Sequence, residues 1–163
     1  VVKLFTNNFK FELNVEENQV VFGDTDTIVA SRTISGEFPN FERIMPKETP
    51  VTVSVSKDEL QRAIKLASIF ARDNANTIRL DILSDSVLIS AESTKSGKQE
   101  MKIAAKVDGG TLAVSLNFRY LEEFLNVVSG ESVTIKLKND ETPVLFLDPK
   151  DPDFIHVIAP VRS

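Results

Sequence analysis

Residues 51–72, VTVSVSKDELQRAIKLASIFAR, change hydrophobic period in mid-course, and that change decides the fold. Val51, Val53 and Val55 alternate with Thr52 and Ser54, the period-two pattern of a strand with one buried face. Beyond them, Leu60, Ala63, Ile64, Ala67 and Ala71 recur at spacings of three and four, which places them on one stripe of an α-helix. Ser56, with Glu59 three residues on, supplies an N-cap at the switch point. A strand is therefore expected to feed directly into a helix over residues 56–72.

The same grammar recurs downstream. Residues 112–115 alternate, and residues 117–128, NFRYLEEFLNVV, carry a stripe of Phe118, Leu121, Leu125 and Val128, with Asn117 as N-cap and Gly130 as terminator. Most other segments alternate or are β-branched: 9–15, 19–22, 27–34, 77–83, 86–91, 101–107, 132–137, 144–147 and 154–158. The chain reads as α+β with antiparallel meanders. One βαβββ unit is used twice, giving a pseudo-symmetric domain with two helices packed on antiparallel sheets. Residues 9–34 read as the three-strand tail of a further unit, a partial preceding domain. The expected division is 1–37 as half of a domain, 38–50 as linker and 51–163 as a complete domain. The opening VVKLF, without methionine, reads as the last turn or following link of a missing helix, in a piece cut from a longer chain.

The 163 residues are 42% hydrophobic, ample for a core, and no apolar run approaches a membrane span. The opening residues lack the basic region, apolar core and cleavage site of a signal peptide. The absence of cysteine excludes a disulfide scaffold and thiol catalysis and fits a cytoplasmic protein. Nineteen basic against 24 acidic residues give a net charge of −5, which argues against nucleic-acid contact over the whole surface but leaves room for a local basic face.

No catalytic constellation emerges. His156, the single histidine, is expected to point outward from its strand, opposite in parity to Ile155 and Val157. Neither a G-x-S-x-G elbow nor a glycine-rich phosphate loop is present, and one histidine without cysteine cannot furnish a zinc site. Glu122 and Glu123 diverge on their helix. Asp24 and Asp26, and Asp148, Asp151 and Asp153 among Pro149 and Pro152, read as solvated turn acids without the order of a calcium loop. The expectation is a non-enzyme with no metal and no cofactor; an enzyme built on the acids of 148–153 is the competing reading.

Charge is patterned on the helices. Arg62, Lys65 and Arg72, flanked by Gln61 and Ser68, cover the outer face of the first helix, while Asp58 and Glu59 sit in its first turn, where the dipole favours them. Such a face is either a solvated surface or a sequence-independent phosphate contact. Arg119 on the second helix is offset by Glu122 and Glu123. Ile69 lies far from the apolar stripe and Phe70 at its edge, and the two either pack beneath the next loop or form an exposed subunit contact. Residues 38–46, FPNFERIMP, combine prolines at both ends with unusual apolarity, so they form a turning connector that cannot enter a sheet interior.

Three segments together carry a family resemblance. FPNFERIMP resembles the linker before the last domain of bacterial DNA sliding clamps, the β subunit of DNA polymerase III. Asn117-Phe118-Arg119-Tyr120-Leu121 is similar to that family's N-x-x-Y-L, and residues 157–163, VIAPVRS, are similar to its closing segment. Their order and separation match across the whole chain. The resemblance implies a DNA-clamp fold and no reaction: a homodimeric ring around double-stranded DNA that makes DNA polymerase III processive and is opened by a clamp loader. It implies that Arg62, Lys65, Arg72 and Arg119 face DNA and that Ile69 and Phe70 meet the neighbouring subunit. This fragment, bearing one of two complementary patches, is expected to be monomeric. It further implies a partner-peptide pocket for Q-L-x-L-F-like motifs between the middle and last domains, lined by Pro39, Arg43, Ile44, Asn117, Tyr120, Pro143, Val157, Ala159, Pro160, Val161 and Arg162. Phe38, Phe41 and Met45 would then anchor the link. Ala159 and Val161 stand where the family favours methionine, and Ser163 where it favours an apolar residue, which predicts a wider or shallower pocket. A stand-alone peptide-binding scaffold of the same fold, without DNA encirclement, is the alternative.

Overall fold

A computed structural model describes residues 12–38 and 40–162. The chain divides into two compact units, Val1–Pro39 and Asn40–Ser163. The first contains an antiparallel meander, β1 (Glu12–Val15), β2 (Gln19–Gly23) and β3 (Ile28–Arg32), with Asp24 Oδ1 closing the second turn by accepting the N–H groups of Asp26 and Thr27 at 2.9 and 2.7 Å. Residues 9–11 of the first expected strand, and VVKLF, lie outside the described residues.

The second unit follows the expected order twice. The first repeat is β4 (Val51–Ser56), α1 (Lys57–Ala71), β5 (Thr77–Ile82), β6 (Ser86–Ser93) and β7 (Gly97–Asp108). The second is β8 (Leu112–Asn117), α2 (Phe118–Val127), β9 (Ser132–Leu137), β10 (Val144–Asp148) and β11 (Asp151–Ile158). They form one antiparallel sheet in the order β11-β10-β9-β4-β7-β6-β5-β8. The pairing is reciprocal: the first strand of each repeat pairs with the second strand of the other, β4 with β9 and β8 with β5. The two helices therefore share a sheet face and touch each other.

Both helices start as predicted. Ser56 Oγ accepts the Glu59 N–H at 3.5 Å, and Asn117 Oδ1 accepts the Arg119 N–H at 3.0 Å. The ends differ. After α1, Ala75 and Asn76 adopt φ of 49° and 58°, and the N–H groups of Asn74 and Asn76 return to Ala71 O, so a left-handed turn terminates the helix without glycine. Gly130, expected as a terminator, does not end α2. That helix closes at Val128, whose N–H donates to Phe124 O at 3.1 Å while Lys57 Nζ donates to Val128 O at 2.6 Å, tying the start of one helix to the end of the other.

Three side chains and the start of the last strand lie where the sequence reading did not put them. Ser68 is buried rather than on the outer face, because Leu60, Ala63, Ile64, Ala67, Ser68 and Ala71 form a stripe broad enough to meet both sheet and α2; its hydroxyl returns to Lys65 O at 2.9 Å. Asp148 is not a solvated turn acid. It ends β10 at 2% exposure, and its Oδ2 accepts the N–H groups of Ser129 and Gly130 and the Ser129 hydroxyl while Oδ1 accepts the Lys150 N–H. Asp151 and Asp153 are exposed as expected but lie on β11 rather than in a turn, and Pro152 between them is tolerated because β11 is the sheet edge, where a missing donor costs no ladder bond. His156, finally, points inward. Ile158 opposes buried Val144 and His156 opposes buried Phe146, so Phe154, His156 and Ile158 share the core face while Ile155 faces out.

A candidate partner surface and a candidate nucleic-acid face

Before β4, Asn40 Oδ1 caps a 3-10 turn, Phe41–Arg43, by accepting the Glu42 N–H at 3.1 Å. Arg43 and Ile44 are exposed on this turn, and Pro39 lies outside the described residues. Phe38 and Phe41, expected as anchors, are exposed, Phe38 at 85%, and only Met45 is half-buried; with no sheet or helix stripe to join, their rings find no core among the described residues.

The remaining pocket candidates gather where β8 passes into α2 and β11 ends. Asn117 caps α2, and Tyr120, 50% exposed, follows on its first turn. Pro143 precedes Val144, which pairs with Ile158, so Pro143 lies beside the start of the tail 159–162. Val157 is half-buried opposite Leu145, Ala159 is exposed, Pro160 is half-buried, and the Val161 N–H donates to Ser115 O at 2.8 Å. Val161 and Arg162 border a cleft of about 270 Å³ with Arg79, Ser115, Asp140 and Glu141. The sequence reading missed these four. Superposing the two repeats finds Ser115, because Ser54 faces Lys106 in the first as Ser115 meets Val161 in the second.

His156 supports this surface from beneath. Its ring stacks on Phe124 at 5.4 Å, and its Nε2 is buried without a partner among the described residues. Burial holds its pKa below the ordinary 6.5, against the opposing pull of a hydrogen bond to the Tyr120 backbone and the charge of Glu123. The folded state therefore keeps the imidazole neutral, while the unfolded chain binds a proton as pH falls through about 6.5. Stability should be level above that pH and decline from there down to the folded pKa. Thermal melts between pH 8 and 5 should show this decline, and His156→Phe should flatten it; an unchanged decline would assign the effect elsewhere.

The helix cations occupy a second surface. Arg62, Lys65, Arg72 and Arg119 are all exposed, and no ion pair among the described residues engages them; Arg62 Nε donates only to the Asp58 carbonyl, at 3.3 Å. Ile69 and Phe70 separate: Ile69 is 61% exposed, whereas Phe70 packs partly against the core. Leu66, not singled out from sequence, is 47% exposed one turn before Phe70. Its spacing from Ile69 was the available signal. Among the described residues, no group of His, Asp and Glu could hold a metal ion, and no helix is long and apolar enough to cross a membrane.

Comparison with known proteins adds the family. The Beta sliding clamp of Bacillus subtilis (strain 168) is 27% identical over 155 residues, 93% of this chain but 41% of that protein. The Beta sliding clamp of Staphylococcus aureus (strain Mu50) is 26% identical over 159 residues, 96% of this chain and 42% of its own length. The chain thus spans less than half the length of these relatives. Among solved structures, the DNA polymerase sliding clamp of Pseudomonas aeruginosa superposes with a TM-score of 0.86 over 99% of this chain and 44% of its own, at 22% identity, a likeness of fold. The B. subtilis clamp gives 0.81 at 27% identity, over 94% of this chain and 41% of its own. The model of the family "DNA polymerase III beta subunit, C-terminal domain" matches residues 42–162, three-quarters of the chain. With the twofold βαβββ order and the reciprocal strand exchange already in view, this match establishes that the chain belongs to the DNA polymerase III beta subunit family, through its C-terminal domain.

Proposed function

We propose that the chain is the C-terminal part of a ring-forming sliding clamp, a non-catalytic processivity factor that tethers a replicative DNA polymerase to double-stranded DNA. Residues 1–37 then belong to the middle domain, 38–50 to the linker and 51–163 to the last domain. Arg62, Lys65, Arg72 and Arg119 face the duplex, and Ile69 and Phe70, joined by Leu66, meet the neighbouring subunit of a homodimer that a clamp loader opens. Partner peptides dock on the surface containing Arg43, Ile44, Asn117, Tyr120, Pro143, Val157 and the tail, with Pro39 contributed by the linker.

What carries this reading is the contrast of charge on the helices. In a unit whose chain is acidic overall, at −5, four cations stand on two adjoining helices and the cap of the first, without an anionic partner among the described residues. Unpaired, they suit weak, sequence-independent phosphate contact, which permits sliding. The full-length protein carrying Arg62→Glu and Lys65→Glu should retain circular DNA less well. The dependence of log affinity on log salt should flatten by roughly 2 units. Undiminished retention with an unchanged slope would reduce these residues to a solvated face. Retained peptide binding in a full-length protein that holds no DNA would favour the stand-alone scaffold.

For the peptide surface, a fluorescent Gln-Leu-Ser-Leu-Phe peptide should bind the chain. Arg43→Ala and Pro160→Ala should each weaken binding about tenfold, the effect of removing an anchoring contact. Equal affinities for all three proteins would overturn the assignment.

A further inference from the structure

The two repeats close their sheets differently. In the first, β7 pairs with β6 through residues 97–104 and then crosses to β4, with Ala105, Lys106, Val107 and Asp108 opposite Val55, Ser54, Val53 and Thr52. The crossing is pinned at its start by the Ala105 N–H, which donates to Asp85 O at 2.9 Å. Ile103 opposes Val87 as Ile158 opposes Val144, so residues 159–162 take the place of 104–107. The Val161–Ser115 hydrogen bond fits this equivalence. Yet regular pairing stops at Ile158. Pro160 stands in the place of Ala105 and has no N–H to give, so the pinning bond is unavailable. Beside β8, where a regular strand would run, lies the cleft of about 270 Å³ bordered by Ser115 and Arg162.

We propose that residues 159–162 are a detachable strap on β8, and that its release from Ser115 admits a partner's peptide to the tail surface. This role rests on the peptide-docking reading above. The strap opens as a local unit, since among the described residues one backbone hydrogen bond and the half-buried side chains of Pro160 and Val161 hold it, while the equivalent segment is zipped along four residues of β4. Because only the released strap is competent, a peptide's apparent affinity scales with the fraction released.

A disulfide tests this cleanly in a chain with no cysteine. Directly opposed residues of an antiparallel pair have Cα atoms about 4.5–5.5 Å apart, within disulfide range. Ser115→Cys with Val161→Cys would lock the strap, and Ser54→Cys with Lys106→Cys would place the equivalent lock on the first repeat. Oxidation of the first pair should weaken binding of the Gln-Leu-Ser-Leu-Phe peptide at least about tenfold, reversibly on reduction. Oxidation of the second should leave it unchanged. Equal affinity of the oxidised and reduced strap variant overturns the proposal. If the wild-type chain itself fails to bind, the docking reading falls, and the strap is decided by hydrogen exchange. The Val161 amide should exchange roughly 100-fold faster than the ladder amides of β10, and equal protection would refute a detachable strap.

Discussion

Phe124→Ala is expected to lower the stability of the second unit by about 3–5 kcal/mol, a large share of the roughly 5–15 kcal/mol that holds a domain folded. Phe124 is fully buried on α2, and three rings converge on it: Phe146 at 5.6 Å, Phe154 at 5.9 Å and His156 at 5.4 Å. The three rings come from β10 and β11, the two outer strands of the second repeat, and close on a ring carried by α2, so no single neighbour can move to fill the space. Loss of the ring removes its burial and leaves a cavity that rigid strands cannot collapse. It also opens the imidazole of His156 to water, so its pKa should rise towards 6.5. Two measurements follow: denaturant unfolding for stability, and NMR titration of the single histidine for the environment. Phe124→Leu, which keeps most of the volume, should recover much of the loss. An alanine variant within about 1 kcal/mol of wild type would show that the aromatic cluster does not organise the repeat.

The same cluster shows why parts of the fold were legible in sequence and others were not. Both helices were readable because their caps and apolar spacing are local, and each strand-to-helix switch falls on the cap residue itself, Ser56 or Asn117. The parity of β11 was not. In residues 154–158 apolar side chains sit on both sides of His156, so alternation offers no preference, and the choice belongs to a partner ten or more residues away, Val144 opposite Ile158. Ser68 was misplaced for a related reason: a serine reads as surface until a second helix is packed beside it. Arg43, Tyr120 and the tail could be nominated only by resemblance, because exposed side chains on a turn and an irregular end carry no periodic signal. Ser115 and Arg79 gain their importance from a chain crossing that only the repeat, laid over itself, makes visible.

Asp148 is the instance with the largest consequence, and Gly130→Ala exposes it. Proline on either side of Asp151 suggested a solvated turn, yet the Asp148 carboxylate is the hub to which the α2–β9 connection is tied. A Cβ on Gly130 would lie 2.5 Å from Asp148 Oδ1 and 3.2 Å from Ser132 O. A free carboxylate would swing away. This one is held at Oδ1 by the Lys150 N–H at 2.9 Å and at Oδ2 by the Ser129 N–H at 2.8 Å, the Ser129 hydroxyl at 3.1 Å and the Gly130 N–H at 3.2 Å. The added methyl must therefore break bonds or shift backbone, and Gly130→Ala should lower the melting temperature by roughly 5–10 °C. Asp148→Ala should lower it by a similar amount, because it strands those donors in a buried site. The double variant should be far less than additive, since removing the carboxylate removes the clash. The carboxylate also carries a signature in acid. Backbone donors, that of Lys150 first, hold its pKa below 3.8. Its contribution is thus complete above that pH and lost as pH falls through the lower, folded value, whereas the decline assigned to His156 already begins near 6.5. Additive melting temperatures in the double variant would mean that the added methyl acts through the Ser132 carbonyl instead, and that the carboxylate can retreat after all.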